Sequence, residues 1–206
     1  MITLEHARHY AYEISHDAEM VERLSFSFER AAGSWLEAME REERTGEIMW
    51  TSTESEREMQ VAIEGILSGY ARVSLMLFPE RNSGKRGKMR GEMLRLQLGI
   101  GEDHPIGNRI LRNHWMHLDE RLDKALAQTG EVPIGYILAR PGQFSADVRQ
   151  RAFRFVDPAD ASVYIFGERF DLRALADAVK HASDCAVLFM FPRNLRESTD
   201  EIKSTE

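Results

Sequence analysis

The sequence predicts a mainly α fold, an antiparallel bundle of four to five helices followed by a small C-terminal β-hairpin and a final helix. Helical spacing of apolar residues dominates the first two thirds of the 206-residue chain, which predicts the bundle. The last third holds short alternating segments around a turn signal, and then another periodic stretch. We therefore expect a helical domain over residues 1–130 and an appendage over 131–206, with a disordered tail from about residue 195.

Two long helices open the predicted bundle. In the first, apolar residues recur every three or four positions from Leu4 onward, and Gly33 predicts its end. The apolar residues after Gly33 either extend this helix or begin another short one. A second helix follows a capping Thr53 or Ser55, and Pro79 stops it because proline has no backbone N–H to donate. Its predicted inner face consists of Met59, Ile63, Ile66, Leu67, Tyr70, Val73 and Leu77.

Two further helices are predicted before residue 130. The third includes residues 89–98 and ends at Gly99, a residue type that favours helix C-termini. The fourth begins near Pro105, which suits a first helical turn, and runs to about residue 128.

The C-terminal third predicts strands and one last helix. Residues 134–138 and 152–156 have the composition of short strands, and residues 162–166 alternate between polar and apolar. The turn signal Asp157-Pro158-Ala159-Asp160 between the last two segments predicts a β-hairpin over 152–166. Asp171 is then expected to cap a final helix that reaches about residue 184.

The overall composition excludes several classes of protein. Lys and Arg number 27 against 34 Asp and Glu, so the net charge of −7 excludes a basic protein that coats nucleic acid without specificity. The single cysteine, Cys185, excludes an internal disulfide framework and a metal site made of cysteines. No apolar run approaches the roughly 20 residues of a spanning helix. We expect a soluble cytoplasmic protein that does not contact a membrane.

The charge is unevenly distributed along the chain. Residues 1–60 hold 14 acidic residues and six arginines, whereas residues 80–95 hold six cations and two acidic residues. This basic segment is typical of a solvated loop and helix start, or else of a patch that contacts phosphates. On the second interpretation, the nucleic-acid-binding residues are Arg81, Lys85, Arg86, Lys88 and Arg90.

The most informative segment is residues 109–124, RILRNHWMHLDERLDK. At 100° per residue, Asn113 and His117 lie together on the side opposite the apolar stripe, with Arg112 on the flank of the helix within reach of His117. Alternatively, Arg112 pairs with an acidic residue of the same helix, Asp119 or Glu120, and His117 packs at a seam between helices. A metal site using both His114 and His117 would lack a third visible ligand. The predicted stripe is Leu111, Trp115, Leu118, Leu122 and Ala125.

This segment resembles the motif of the HEPN superfamily (higher eukaryotes and prokaryotes nucleotide-binding). In that motif an arginine, often followed by a polar residue, precedes a histidine by four to six intervening residues. Arg112, Asn113 and His117 fit it with four intervening residues, and the resemblance covers about residues 105–128. Arg109 and His114 have the same spacing, but Ile110 follows that arginine.

The resemblance implies a metal-independent endoribonuclease, of toxin or defence type, that uses no cofactor. In catalytic members the motif helices of two protomers face each other, which implies a homodimer. His117 would act as general acid and base, Arg112 would stabilise charge on the phosphoryl oxygens, and Asn113 would orient the phosphate or the imidazole. The implied products are a 2′,3′-cyclic phosphate and a 5′-hydroxyl.

A second interpretation is a non-catalytic HEPN-like module that binds a nucleotide or a partner protein through the same groove. Toxin-type relatives often pair with a nucleotidyltransferase antitoxin, so the resemblance also implies a possible antitoxin partner. A structural helical adaptor, the third possibility, predicts neither cleavage nor nucleotide binding.

Overall fold

A computed structural model of the chain begins with two long helices that pack against each other. It describes residues 3–46, 51–80, 82–129, 134–139, 143–145, 148 and 152–191. Helix α1 spans Leu4–Thr45 and helix α2 spans Thr51–Leu77. Arg30 pairs with Glu58 near one end of the two helices, and Asp17 pairs with Arg72 farther along. The two helices are therefore antiparallel.

Helix α1 does not end at Gly33, so the predicted end is wrong and the extended alternative is correct. The helix continues to Thr45, where Gly46 adopts a left-handed conformation with φ of 73°. A glycine inside a helix costs only about 1 kcal/mol. Burial of the residues that follow it, including Trp35 and Ala38, outweighs that cost.

Helix α2 ends at Leu77, just before Pro79, as predicted. Helix α3 spans Gly84–Leu98, which includes the predicted residues 89–98 and ends at Gly99 as expected. Gly91 of α3 packs directly against the segment that ends α2: a Cβ at this position would lie 2.3 Å from Cδ of Pro79 and 2.8 Å from the carbonyl oxygen of Leu77. The absence of a side chain at Gly91 therefore permits the close packing of α3.

The predicted fourth helix over 105–128 is wrong as a single element. A 3-10 turn at Pro105–Gly107 leads to helix α4, Arg109–Met116, and helix α5 spans Leu118–Thr129. His117 lies between them with φ of −119° and ψ of 42°. Its N–H still donates to the carbonyl of Asn113, and its own carbonyl accepts from the N–H of Arg121. The two helices are therefore joined by a bend at one residue, which periodicity alone does not reveal.

A four-stranded sheet follows, in the order β1-β2-β3-β4. The strands are β1 Ile134–Leu138, β2 Ala152–Asp157, β3 Ser162–Ile165 and β4 Glu168–Asp171. Strand β1 is parallel to β2, whereas β2 and β3, and β3 and β4, are antiparallel. The predicted hairpin segment is thus the centre of a larger sheet, and the sequence analysis missed β4.

Helix α6 spans Leu172–Met190. The Asp171 carboxylate accepts hydrogen bonds from the N–H groups of Arg173 and Ala174, so the predicted cap is confirmed, although the helix runs six residues past the predicted end. Helix α6 packs against α1 and α2, and Ala182 belongs to the same hydrophobic cluster as Ile14 of α1. The predicted tail from residue 195 lies outside the described residues.

The division at residue 130 stays a prediction, since residues 130–133 are not described. Buried residues from both predicted units, such as Leu67 and Val163, nevertheless belong to one hydrophobic cluster. Within the described part of the chain, no helix is both long and apolar enough to cross a membrane.

A pair of histidines connects α6 to the turn before α4. Nδ1 of His104 accepts a hydrogen bond from the N–H of Ile106, so its Nε2 carries the proton and donates to Nδ1 of His181 at 2.8 Å. Burial, together with the neighbouring His181, lowers the pKa of His104, whereas nearby Asp103 raises it. The neutral form of His104 is therefore favoured in the folded protein.

This pair predicts acid sensitivity. Because the pKa of His104 in the folded state lies below its unfolded value of 6.5, its contribution is fully present above that value and is lost as the pH falls through the folded pKa. Between about pH 8 and about pH 5 the native chain should lose roughly 0.5–1 kcal/mol more stability than His104→Asn, because protonation of Nδ1 of His104 breaks the hydrogen bond from the N–H of Ile106, whereas an asparagine cap does not titrate. Urea denaturation at both pH values measures the difference. Parallel losses in the two proteins would contradict it.

Candidate functional site

The three motif residues line one surface cavity of about 620 Å³. Helices α4 and α5 form most of its wall, and Glu80 and Asn82 contribute from the connection between α2 and α3. Four cationic side chains but only two acidic ones line it, so its charge is opposite to that of the chain as a whole. The cations are Arg109, Arg112, Arg121 and Lys124. Such a cavity is suited to an anion.

Arg112 is buried, with an exposed fraction of 1%, and the end of α2 holds its guanidinium, which was expected to reach from the flank of the helix toward His117. Its Nη1 donates to the carbonyl oxygen of Phe78 at 2.5 Å and to the hydroxyl of Ser74 at 3.3 Å. The alternative pairing with Asp119 or Glu120 is likewise not formed. Among the described residues, its buried Nε has no partner. Arg112 thus connects α4 to the end of α2 while it also lines the cavity.

Burial lowers the pKa of the Arg112 guanidinium, and the positive charge of Arg109 lowers it further. A guanidinium nevertheless stays protonated in proteins. The nearby Glu80 carboxylate opposes this decrease in pKa. The two hydrogen bonds of Arg112 go to neutral oxygens, so an anion in the cavity would add a further favourable interaction with its charge.

Asn113 and His117 are more accessible than Arg112. Asn113 is exposed, and the side chain of His117 is 44% exposed. Nδ1 of His117 lies 3.4 Å from a carboxylate oxygen of Glu120, in the first turn of α5. A proton held on Nδ1 by this carboxylate would leave Nε2 as the basic ring nitrogen. The exposed imidazole is therefore placed to exchange a proton with a ligand.

His114 faces away from the cavity wall and packs against the sheet. Its exposed fraction is 4%, and its ring lies 6.2 Å from that of Phe166 and 6.1 Å from that of Phe170. Burial lowers its pKa, and the charge of Arg121 adds to this. The alternative motif pair of Arg109 and His114 is therefore not assembled. The described residues also contain no group of three or more metal-ligating side chains.

The basic segment contributes less to the site than expected. Arg90 is structural, since it donates to the carbonyl of Leu75 at 3.1 Å and lies over the ring of Tyr10. Lys85, Arg86 and Lys88 are exposed on α3. Arg81 lies outside the described residues.

The sequence analysis missed three cations of the cavity, Arg109, Arg121 and Lys124. For two of them a signal was present. Arg121 and Lys124 follow His117 by four and seven residues, which is the spacing of one helix face. Arg109 lies three residues before Arg112, but no local pattern indicates that both line one cavity.

Comparisons with protein-family models, with curated proteins and with solved structures find no match to this chain. The resemblance to the HEPN superfamily therefore rests on the motif residues and stays a prediction. The functional argument accordingly starts from the cavity and its charges.

Proposed function

We propose that the chain is a HEPN-like, homodimeric endoribonuclease of toxin or defence type that cleaves RNA in the cytoplasm without metal. The observation that carries this proposal is the common cavity of Arg112, Asn113 and His117, which three further cations line in an otherwise acidic chain. A fixed guanidinium and an accessible imidazole are two of the groups that phosphodiester cleavage by a 2′-hydroxyl uses, the first for charge on the phosphoryl oxygens and the second for proton transfer.

In the proposed reaction, the ribose 2′-oxygen attacks the adjacent phosphorus while Nε2 of His117 takes the proton from the hydroxyl. The bond from phosphorus to the 5′-oxygen then breaks and that oxygen receives a proton. The products are a 2′,3′-cyclic phosphate and a 5′-hydroxyl. Arg112 would stabilise the negative charge on the nonbridging oxygens, because the hydrogen bonds to Phe78 and Ser74 already hold its guanidinium in place. Asn113 would orient the phosphate.

A homodimer supplies a second imidazole, which the single motif of one chain lacks. One imidazole cannot remove a proton from the 2′-oxygen and donate one to the 5′-oxygen in the same step, whereas two copies of the chain supply two imidazoles. Helix α4, which contributes to the cavity wall, also exposes two apolar side chains, Ile110 at 52% and Met116 at 51%. Exposed apolar residues of this kind favour association.

The direct test is His117→Ala with single-stranded RNA in excess chelator. We expect the native chain to cleave and the variant to lose at least about 100-fold in rate, because a general acid–base group contributes that much. His9→Ala is the matched control, since His9 is an exposed histidine of α1. Circular dichroism checks that both variants are folded. Equal cleavage by His117→Ala and the native chain would refute the catalytic assignment.

A non-catalytic module that binds a nucleotide or a partner protein is the second candidate. Arg112 is buried and donates two hydrogen bonds to the protein. This favours the non-catalytic candidate, because a guanidinium held in this way can bind a phosphate without any reaction. Absence of cleavage by the native chain, together with saturable nucleotide binding in calorimetry, would support this candidate. Co-purification with a nucleotidyltransferase-type antitoxin would support the partner-binding form.

A further inference from the structure

A second cavity of about 340 Å³ adjoins the first. Glu80 and Arg109 line both cavities, so the two share a wall. Lys88 of α3 lines the second cavity, on the far side of Arg109 from the motif residues. The basic segment and the motif segment are thus connected through Arg109, although they lie on different helices.

Six cations and four acidic residues line the two cavities together, and three of the acidic residues, Glu80, Glu92 and Glu102, line the second cavity. Four of the cations form no ion pair within the described part of the chain: Lys88, Arg109, Arg121 and Lys124. Other cations nearby are already engaged. Arg95, which also lines the second cavity, donates to the carbonyl of Leu77 and pairs with Glu102. The four unpaired cations are therefore the ones whose charge is available to a ligand.

The extent of this row exceeds a single phosphate group. Lys124 follows His117 by seven residues, which corresponds to about 10 Å along α5. Arg109 and Lys88 extend the row in the other direction, into the second cavity. Cavities of 620 and 340 Å³ are large enough for individual nucleotides.

From this arrangement we infer that the two cavities form one groove for single-stranded RNA, with the reacting phosphate at Arg112 and His117. Arg121 and Lys124 bind the backbone on one side of that phosphate, and Arg109 and Lys88 bind it on the other. This inference rests on the proposed function for the position of the reacting phosphate. Binding through the groove is a separate property that is measured without cleavage.

The test uses charge reversals in a His117→Ala background, where the proposed cleavage cannot occur. The probe is a fluorescein-labelled single-stranded oligoadenylate of about ten nucleotides, followed by fluorescence anisotropy. Lys88→Glu and Lys124→Glu should each raise Kd roughly tenfold and lower the slope of log K against log salt by about 1. Lys180→Glu is the matched control, because Lys180 is an exposed lysine of α6 that pairs with Glu22, away from both cavities. It should change Kd less than about twofold.

Equal effects of Lys88→Glu and Lys180→Glu would overturn the inference, as would failure of the oligonucleotide to bind at low salt. Loss of binding in Lys124→Glu alone would also overturn it, because the ligand would then occupy only the first cavity, as a free nucleotide does. A wrong groove inference can be distinguished from a wrong nuclease assignment. If Lys88→Glu with His117 intact cuts RNA at the native KM, the groove is refuted and the nuclease stands. If the native chain does not cut but both lysine variants weaken binding, the groove stands.

Discussion

Arg112→Ala is expected to lower the free energy of unfolding by roughly 3 kcal/mol. The change removes a side chain that is almost completely buried and leaves the carbonyl of Phe78 and the hydroxyl of Ser74 without their donor. Each unsatisfied buried polar group costs about 1–3 kcal/mol, and the vacated volume adds to that cost. Urea denaturation of the purified variant measures the change.

Arg109→Ala is the control for this prediction. Arg109 lies on the same helix and lines the same cavity, but it is exposed and forms no ion pair within the described residues. Its replacement should change stability by no more than about 0.5 kcal/mol. Similar urea midpoints for Arg112→Ala and the native chain would show that the two hydrogen bonds contribute little.

The stability of Arg112 variants also affects how their activity is interpreted. A loss of cleavage in Arg112→Ala does not by itself identify a catalytic group, because the variant also disconnects α4 from the end of α2. Activity should therefore be compared with the fraction of protein that remains folded. A loss of cleavage in His117→Ala can be interpreted directly, because the side chain is nearly half exposed and its removal does not disconnect α4 from α2.

Gly91→Ala is expected to destabilise the fold by about 1–3 kcal/mol. The new Cβ would lie 2.8 Å from the carbonyl oxygen of Leu77 and 2.3 Å from Cδ of Pro79, and neither a backbone oxygen nor a proline ring can move away easily. Relief of this clash requires α3 to separate from the end of α2. Thermal denaturation, or urea denaturation of the same variant, measures the loss.

Gly33→Ala provides the matched control, because a Cβ at Gly33 in α1 would have nothing within 4 Å. Alanine is favoured over glycine in a helix by about 1 kcal/mol, so this variant should be more stable than the native chain. The same substitution is thus expected to act in opposite directions at two helical glycines. Stabilisation by Gly91→Ala would show that the close packing against Pro79 is not present in solution.

Elements with a strong local signal could be predicted from the sequence. Asp171 caps α6 because its short carboxylate reaches two free N–H groups, and that signal is contained in a few residues. Strand β4 has no comparable signal. The turn before it is Phe166-Gly167, with positive φ at both residues, whereas the sequences that predict such turns begin with Asn or Asp.

Features that depend on contacts between distant residues could not be predicted. Arg112 is a charged residue on the edge of a helical pattern, and only the position of Phe78 and Ser74 on the neighbouring helix segment explains its burial. Likewise, Arg90 belongs to a basic run that indicates a solvated surface, yet the carbonyl of Leu75 and the ring of Tyr10 hold it against the bundle. The common position of Asn113 and His117 at one cavity follows from their spacing, and it was predictable.

The bend at His117 separates a helix that is held by buried contacts, α4, from a helix that carries accessible cations, α5. The rotation of α4 about its own axis is fixed by the hydrogen bonds of the buried Arg112 and by a hydrogen bond from the indole of Trp115 to Ser68. A residue inserted or deleted between His117 and Arg121 would rotate Arg121 and Lys124 by about 100° around α5 without removing the hydrogen bonds of Arg112. The cations that α5 presents to a ligand can therefore change position while the contacts of α4 that stabilise the fold stay the same.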